Sequence, residues 1–108
     1  MNSRAQDINS TLADLGLDES VVTFFWNVLV SVLCDPVLLQ EKAGFIQALD
    51  RLVAERNRFN RGAGDLHRVL DKALNLAAVL EAMAARHPHR RTGLVTLGQT
   101  ISACVKWA

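Results

Sequence analysis

The sequence predicts an all-α fold, a small antiparallel bundle of four to five helices, with residues 1–108 as a single helical-bundle domain. Three observations carry this expectation. Apolar residues recur at spacings of three and four along most of the chain, the period of an α-helix. Helix-starting and helix-stopping residues punctuate those runs: Gly16 with Asp18, Asp35 with Pro36, Gly62 to Asp65, and His87-Pro88. Finally, 108 residues at 50% hydrophobic and 21% charged suffice for one core but not two, and no long Gly/Ser or Pro tract separates them.

The first helix is expected from about Arg4 to Leu15, with Ile8, Leu12 and Leu15 on one stripe. Gly16 supplies the left-handed residue that closes it, and Leu17 folds back on Leu12. Asp18 then caps the second helix, with Glu19 in its positive first turn and Leu17 and Val22 placed as a hydrophobic staple. That second helix, about Glu19 to Leu33, is apolar almost all round. After Ser20 only Thr23, Asn27 and Ser31 are polar, four apart and so on one stripe. A helix apolar on nearly every side needs cover on nearly every side. It is expected either at the centre of the bundle or completed by a second copy or another protein.

Asp35 as N-cap and Pro36 at the first helical position predict a third helix from there to about Arg58. Leu38, Phe45, Leu49 and Leu52 form its inner face, with Ile46 and Val53 beside them; Glu41, Lys42, Asp50, Arg51 and Glu55 are expected in solvent. Asn60 to Gly64 reads as a turn and Asp65 as the next cap. The fourth helix, about Leu66 to Arg86, turns Leu66, Val69, Leu70, Ala73, Leu76, Ala77, Leu80, Met83 and Ala84 inward, its alanines allowing close approach. Leu94 to Trp107 is expected to be a fifth helix, although its Thr, Val and Ile have strand character and Gly98 costs a helix about 1 kcal/mol relative to Ala. Close packing against a neighbour is the gain expected at Gly98.

The remaining features exclude several classes. Met1 to Asp7 is polar with no adjoining apolar run, unlike a secretory signal. Val21 to Cys34, about 14 residues and about 21 Å as a helix, is too short for a hydrocarbon core of roughly 30 Å, so no membrane span is expected. Cys34 and Cys104 lie in apolar stretches and are expected to be reduced, buried thiols. A cytoplasmic protein follows from these points, and the Ala/Arg/Leu-rich composition points to a bacterial source. His87 and His89 are close enough to suggest a metal, but Cys34, His67 and Cys104 lie elsewhere in the chain. The His pair reads as loop residues flanking a proline, and neither metal nor cofactor is expected.

Charge is divided along the chain. Residues 1–55 hold three basic and eight acidic side chains, a net of −5, whereas residues 56–108 hold nine basic and three acidic, a net of +6. Such asymmetry marks an acidic partner, nucleic acid, or self-association between opposite halves. The bases concentrate in two consecutive connections, Arg56 to Arg61 and Arg86 to Arg91, which an up-down bundle sets at opposite ends. The chain has four Phe, two Trp and no Tyr, which leaves few aromatics for a base-stacking surface.

No phosphate loop, nucleophile elbow or paired-carboxylate motif is present. The favoured expectation is therefore a non-enzymatic helical protein-interaction module: a small adaptor, chaperone-like or inhibitory subunit, self-associating as a homodimer through apolar helix faces. The partner-binding candidates are Trp26, Arg58, Arg61, Arg86, Arg90, Arg91 and Trp107. The alternative is a nucleic-acid-binding regulator that uses the basic C-terminal half, with His67, Arg68, Asp71, Lys72 and Asn75 outward on the fourth helix. A further alternative rests on Arg61 and His67, whose Arg-x5-His spacing resembles that of small all-helical ribonucleases of the HEPN superfamily. The resemblance covers only these residues and the helical class, and it implies RNA cleavage by that pair. The chain departs from the family pattern in placing Gly62, not a polar residue, directly after the arginine.

Overall fold

The computed structural model describes residues 3–106, which are helical almost throughout, with no strand among them. Five α-helices follow in order: α1 (Ser3–Asp14), α2 (Glu19–Cys34), α3 (Lys42–Asn60), α4 (Leu66–Arg86) and α5 (Arg91–Lys106). Short 3-10 turns at Leu39–Glu41 and Pro88–Arg90 precede α3 and α5.

The local signals act as expected. Gly16 adopts φ +88°, its N–H donates to the Ala13 carbonyl, and the Leu17 N–H reaches back to Leu12 at 3.3 Å. This is the paired-bond glycine cap, and it brings Leu12 and Leu17 into the core. The same device closes α3: Gly62 at φ +77° donates to Phe59, and Ala63 donates to Arg58. Gly64 lies so close to this last turn that a Cβ there would meet the Phe59 nitrogen at 2.7 Å. Asp18 accepts from the Val21 N–H at 3.0 Å to start α2, and Asp65 accepts from the His67 N–H at 2.9 Å to start α4. Thr11 is fully buried, and its hydroxyl is satisfied by the Asp7 carbonyl one turn back at 2.6 Å.

α4 is the axis of the bundle. It packs along α3 on one side and α5 on the other, and Val69, Ala73, Leu76, Ala77, Leu80, Met83 and Ala84 are all buried. Leu97 and Ile101 of α5 close over it. Residues 94–106 are helical, and Gly98 marks the closest approach of the pair: a Cβ there would lie 3.1 Å from the Ala77 carbonyl oxygen and 3.2 Å from Glu81 Cγ. The strand-forming residues of α5 are overruled by this packing.

Four expectations are corrected. α2 is not central: it rests against α1, α5 and the Leu39–Glu41 turn and meets α3 through the Phe25 and Phe45 rings, with Phe25, Val28, Leu29 and Val32 buried and its other side open. The regular third helix begins at Lys42 rather than Pro36. Asp35 does cap the intervening turn, accepting from Val37 N–H at 2.9 Å, but the axis swings through 106° between α2 and the segment from Leu39. The swing seats Leu38 in the core, 3% exposed, and one uninterrupted helix from Pro36 would not make it. Leu66, expected to face inward, is exposed at the first residue of α4, where it walls an open pocket beside Leu15 and Phe59. Cys34 is exposed and Cys104 half-buried, both as free thiols, since Cys34 lies on the open side of α2.

Candidate interaction surface

Three of the expected basic residues stand against acids from the first half of the chain. Arg86 makes a two-pronged pair with Glu41, at 2.9 Å from Nε and 2.6 Å from Nη2. His87 Nε2 lies 2.7 Å from Oε2, the oxygen that also accepts from Arg86 Nε; because a carboxylate only accepts, this nitrogen carries the proton. Arg90 donates to Asp35 at 2.7 Å. Across the molecule, Arg56 donates to Asp14 at 2.7 Å and so ties α3 to α1. The −5/+6 division is thus matched within the fold at two places: the α4–α5 corner sits on the α2–α3 corner, and α3 sits on α1.

The clamp changes the chemistry of its members. Glu41, expected in solvent, has a side chain only 13% exposed. Its carboxyl is held down at about 2, first by the hydrogen bonds from Arg86, with burial opposing and His87 adding to the effect. Asp35 is likewise lowered, first by its bond from Arg90 and then by the Val37 N–H. Glu55 also departs from expectation: it lies mostly covered on α3, with Arg58 3.8 Å away and one carboxylate oxygen without a hydrogen bond. Sequence periodicity carried a signal for Glu55, which stands three residues beyond Leu52 on the inner stripe. Nothing local announced Glu41, whose partners are 45 and 46 residues away.

The other candidates are spread out. Arg58 and Arg61 flank the end of α3, both exposed, and Arg61 makes no side-chain bond among the described residues. Beside them Leu15, Phe59, Leu66 and Leu70 wall a pocket of about 300 Å³. His67 is exposed on the same connection as Arg61. Arg91 is exposed, without an ion pair among the described residues, over a shallow hollow between α4 and α5. α4 is 21 residues long, about 31 Å, and separates the two basic corners as expected. Trp107 lies outside the described residues.

Trp26 is half-buried rather than fully in the core. Its ring meets Phe25 edge-on at 6.4 Å between centroids, and its indole N–H donates to Asn9 at 2.6 Å. It borders a groove of about 360 Å³ formed by Ile8 of α1, Leu29 and Leu33 of α2 and Ile46 and Leu49 of α3, where Lys42 is the one charged lining residue among those described. The open side of α2 continues from this groove. Val30 is 54% and Leu33 41% exposed, and beyond the helix Val37 and Leu39 are 40% and 48% exposed. Between them run the exposed polar residues Thr23, Asn27 and Ser31, the stripe seen in the sequence. From Ser20 to Cys34 the helix carries no charged side chain at all. The outward side of α2 is thus uncharged after Glu19, polar along Thr23, Asn27 and Ser31 and apolar at Val30 and Leu33 toward its C-terminal end.

Among the described residues no three His, Cys, Asp or Glu side chains converge as metal ligands, and no single helix is long and apolar enough to cross a membrane. No family model, curated protein or solved structure matches the chain.

Proposed function

We propose that this protein is a non-enzymatic helical interaction module, an adaptor or inhibitory subunit of the cytoplasm, which acts by covering the open face of α2. The observation that carries the reading is the face itself: Val30, Leu33 and Val37 stand in solvent on or just beyond a helix with no charge from Ser20 onward. Association removes that apolar area from water without stranding a buried charge. Trp26 and the groove beside it supply an anchor at the edge of the face. The basic residues support a secondary role. Arg56, Arg58, Arg86 and Arg90 are engaged by acids of the same chain, which leaves Arg61 and Arg91 to tune partner choice.

The test compares the purified chain with a Val30→Glu, Leu33→Glu variant. Association is followed by sedimentation, and by capture of proteins from the cells that make it after nuclease treatment. The reading requires association that is lost in the variant while helix content and melting temperature stay unchanged. Binding that survives both substitutions overturns it, as does a chain that binds nothing. Nucleic acid that elutes with moderate salt transfers the function to the basic half. RNA cleavage abolished by His67→Ala transfers it to the Arg61–His67 pair.

A further inference from the structure

We infer that the groove beside Trp26 binds a small amphipathic monoanion, an aliphatic carboxylate whose single tail fills the groove and whose head meets Lys42. Such a ligand goes beyond the interaction reading above, because the groove needs no protein partner to hold it. Three helices build the site. Ile8 of α1, Leu29 of α2 and Leu49 of α3 form its buried floor. Half-buried Trp26 and Ile46 and exposed Leu33 extend the lining toward solvent. The space they leave, about 360 Å³, falls at the lower end of the roughly 300–1,000 Å³ that small-molecule sites occupy. It suits one short alkyl chain rather than the paired tails of a membrane lipid.

The walls set the chemistry of the tail. Their one polar side-chain group, the Trp26 indole N–H, already donates to Asn9 at 2.6 Å. Water in the groove therefore finds few partners, and an apolar chain displaces it at a gain. The head follows from Lys42, the one charged lining residue among those described. Lys42 is exposed and makes no ion pair among the described residues. The carboxylates nearest to it in the chain are committed elsewhere. Glu41, its neighbour, accepts from Arg86 on both oxygens and from His87 on one, and Asp35 holds Arg90. Asp50 lies two turns further along α3, about 12 Å down the axis. An incoming carboxylate supplies the one charge that the groove lacks. A lone ammonium is a point charge that matches a single anion, whereas a dianionic phosphate would keep one of its charges unmatched.

Trp26 reports directly on this site. The chain has two Trp, so Trp107→Phe leaves Trp26 as its only indole. Decanoate carrying bromine on its last carbon, which quenches an indole on contact, is titrated below the concentration at which it forms micelles. Saturable quenching is expected, reversed by plain decanoate but not by decyltrimethylammonium, which carries the same tail on a cation. Lys42→Gln should weaken the acid about two- to fivefold. Lys42→Glu should weaken it further and turn the preference toward the cation; both changes lie at an exposed position and should leave helix content unchanged. Absence of saturable quenching overturns the site. Equal competition by acid and cation, or binding indifferent to Lys42, overturns the anionic ligand. Decanoate that binds in calorimetry while Trp26 stays unquenched overturns the groove. The association test with Val30→Glu, Leu33→Glu is made without the acid, so a failure here leaves the interaction reading standing.

Discussion

α2 and α4 are both apolar helices, and they meet opposite fates. α2 is the richer in apolar residues, yet α4 became the axis of the bundle and α2 kept an open side. The difference lies in pattern rather than amount. In α4 the inward residues recur at three and four, and charged residues such as Arg68, Asp71 and Glu81 hold the remaining surface in water. That division admits one orientation between α3 and α5. α2 has no charged face to choose which side looks outward, so its orientation is set by what is left to cover it. Its neighbours bury Phe25, Val28, Leu29 and Val32 and partly cover Val21, Val22, Phe24 and Trp26, which leaves the Thr23, Asn27, Val30 and Ser31 side in water.

The sharpest way to break the comparison is to shorten one leucine in the core. Leu80→Ala in α4, fully buried, should cost about 2–5 kcal/mol in urea unfolding. A loss below 1 kcal/mol would show that α4 is not the axis. The next effect concerns the α4–α5 contact. Gly98→Val places methyls against the Ala77 carbonyl and should destabilise by about 1–3 kcal/mol. Gly44→Ala, with open space around it on α3, should stabilise by up to about 1 kcal/mol. Equal responses of the two in thermal melts would remove the argument for close approach at Gly98.

The corner clamp gives a third, smaller effect with a pH signature. Glu41→Gln should cost about 1–2 kcal/mol at pH 7, toward the low end because the Arg86 side chain is 55% exposed and screened by solvent. Folding holds the Glu41 carboxyl at about 2, below its usual 4.5, so the unfolded chain takes up the proton first as pH falls. The stability from this pair is therefore complete above about pH 4.5 and drains away as pH drops toward 2. The gap between wild type and E41Q should close over that window, and a gap that stays constant down to pH 2.5 contradicts the clamp. Smallest of all is Leu33→Ala on the open face of α2. It should leave the stability of the isolated chain within about 0.5 kcal/mol. A loss as large as that of Leu80→Ala would mean that Leu33 is covered within the monomer.

Much of this fold was legible before the structure. The boundaries of α4 at Leu66 and Arg86 and the close packing at Gly98 follow from residues near one another in the chain. Pro36 misled because a good helix start was used for a single turn. Of the candidate surface, the uncharged stripe of α2 was legible as an unmet need for cover, but its open side was not. The basic corner was read as available to partners because its acids, Asp35 and Glu41, are more than 40 residues away.

By itself the sequence determined the helices, their glycine and aspartate caps, and the all-α class, since each depends on bonds and side-chain periodicity within a few residues. Only the tertiary structure decided that α4 lies at the centre, that the opposite charges of the two halves meet inside one molecule, and which side of α2 faces water. Those outcomes depend on competition among surfaces distant in the chain, and burial rewards the arrangement that covers most apolar area at once rather than the most apolar segment.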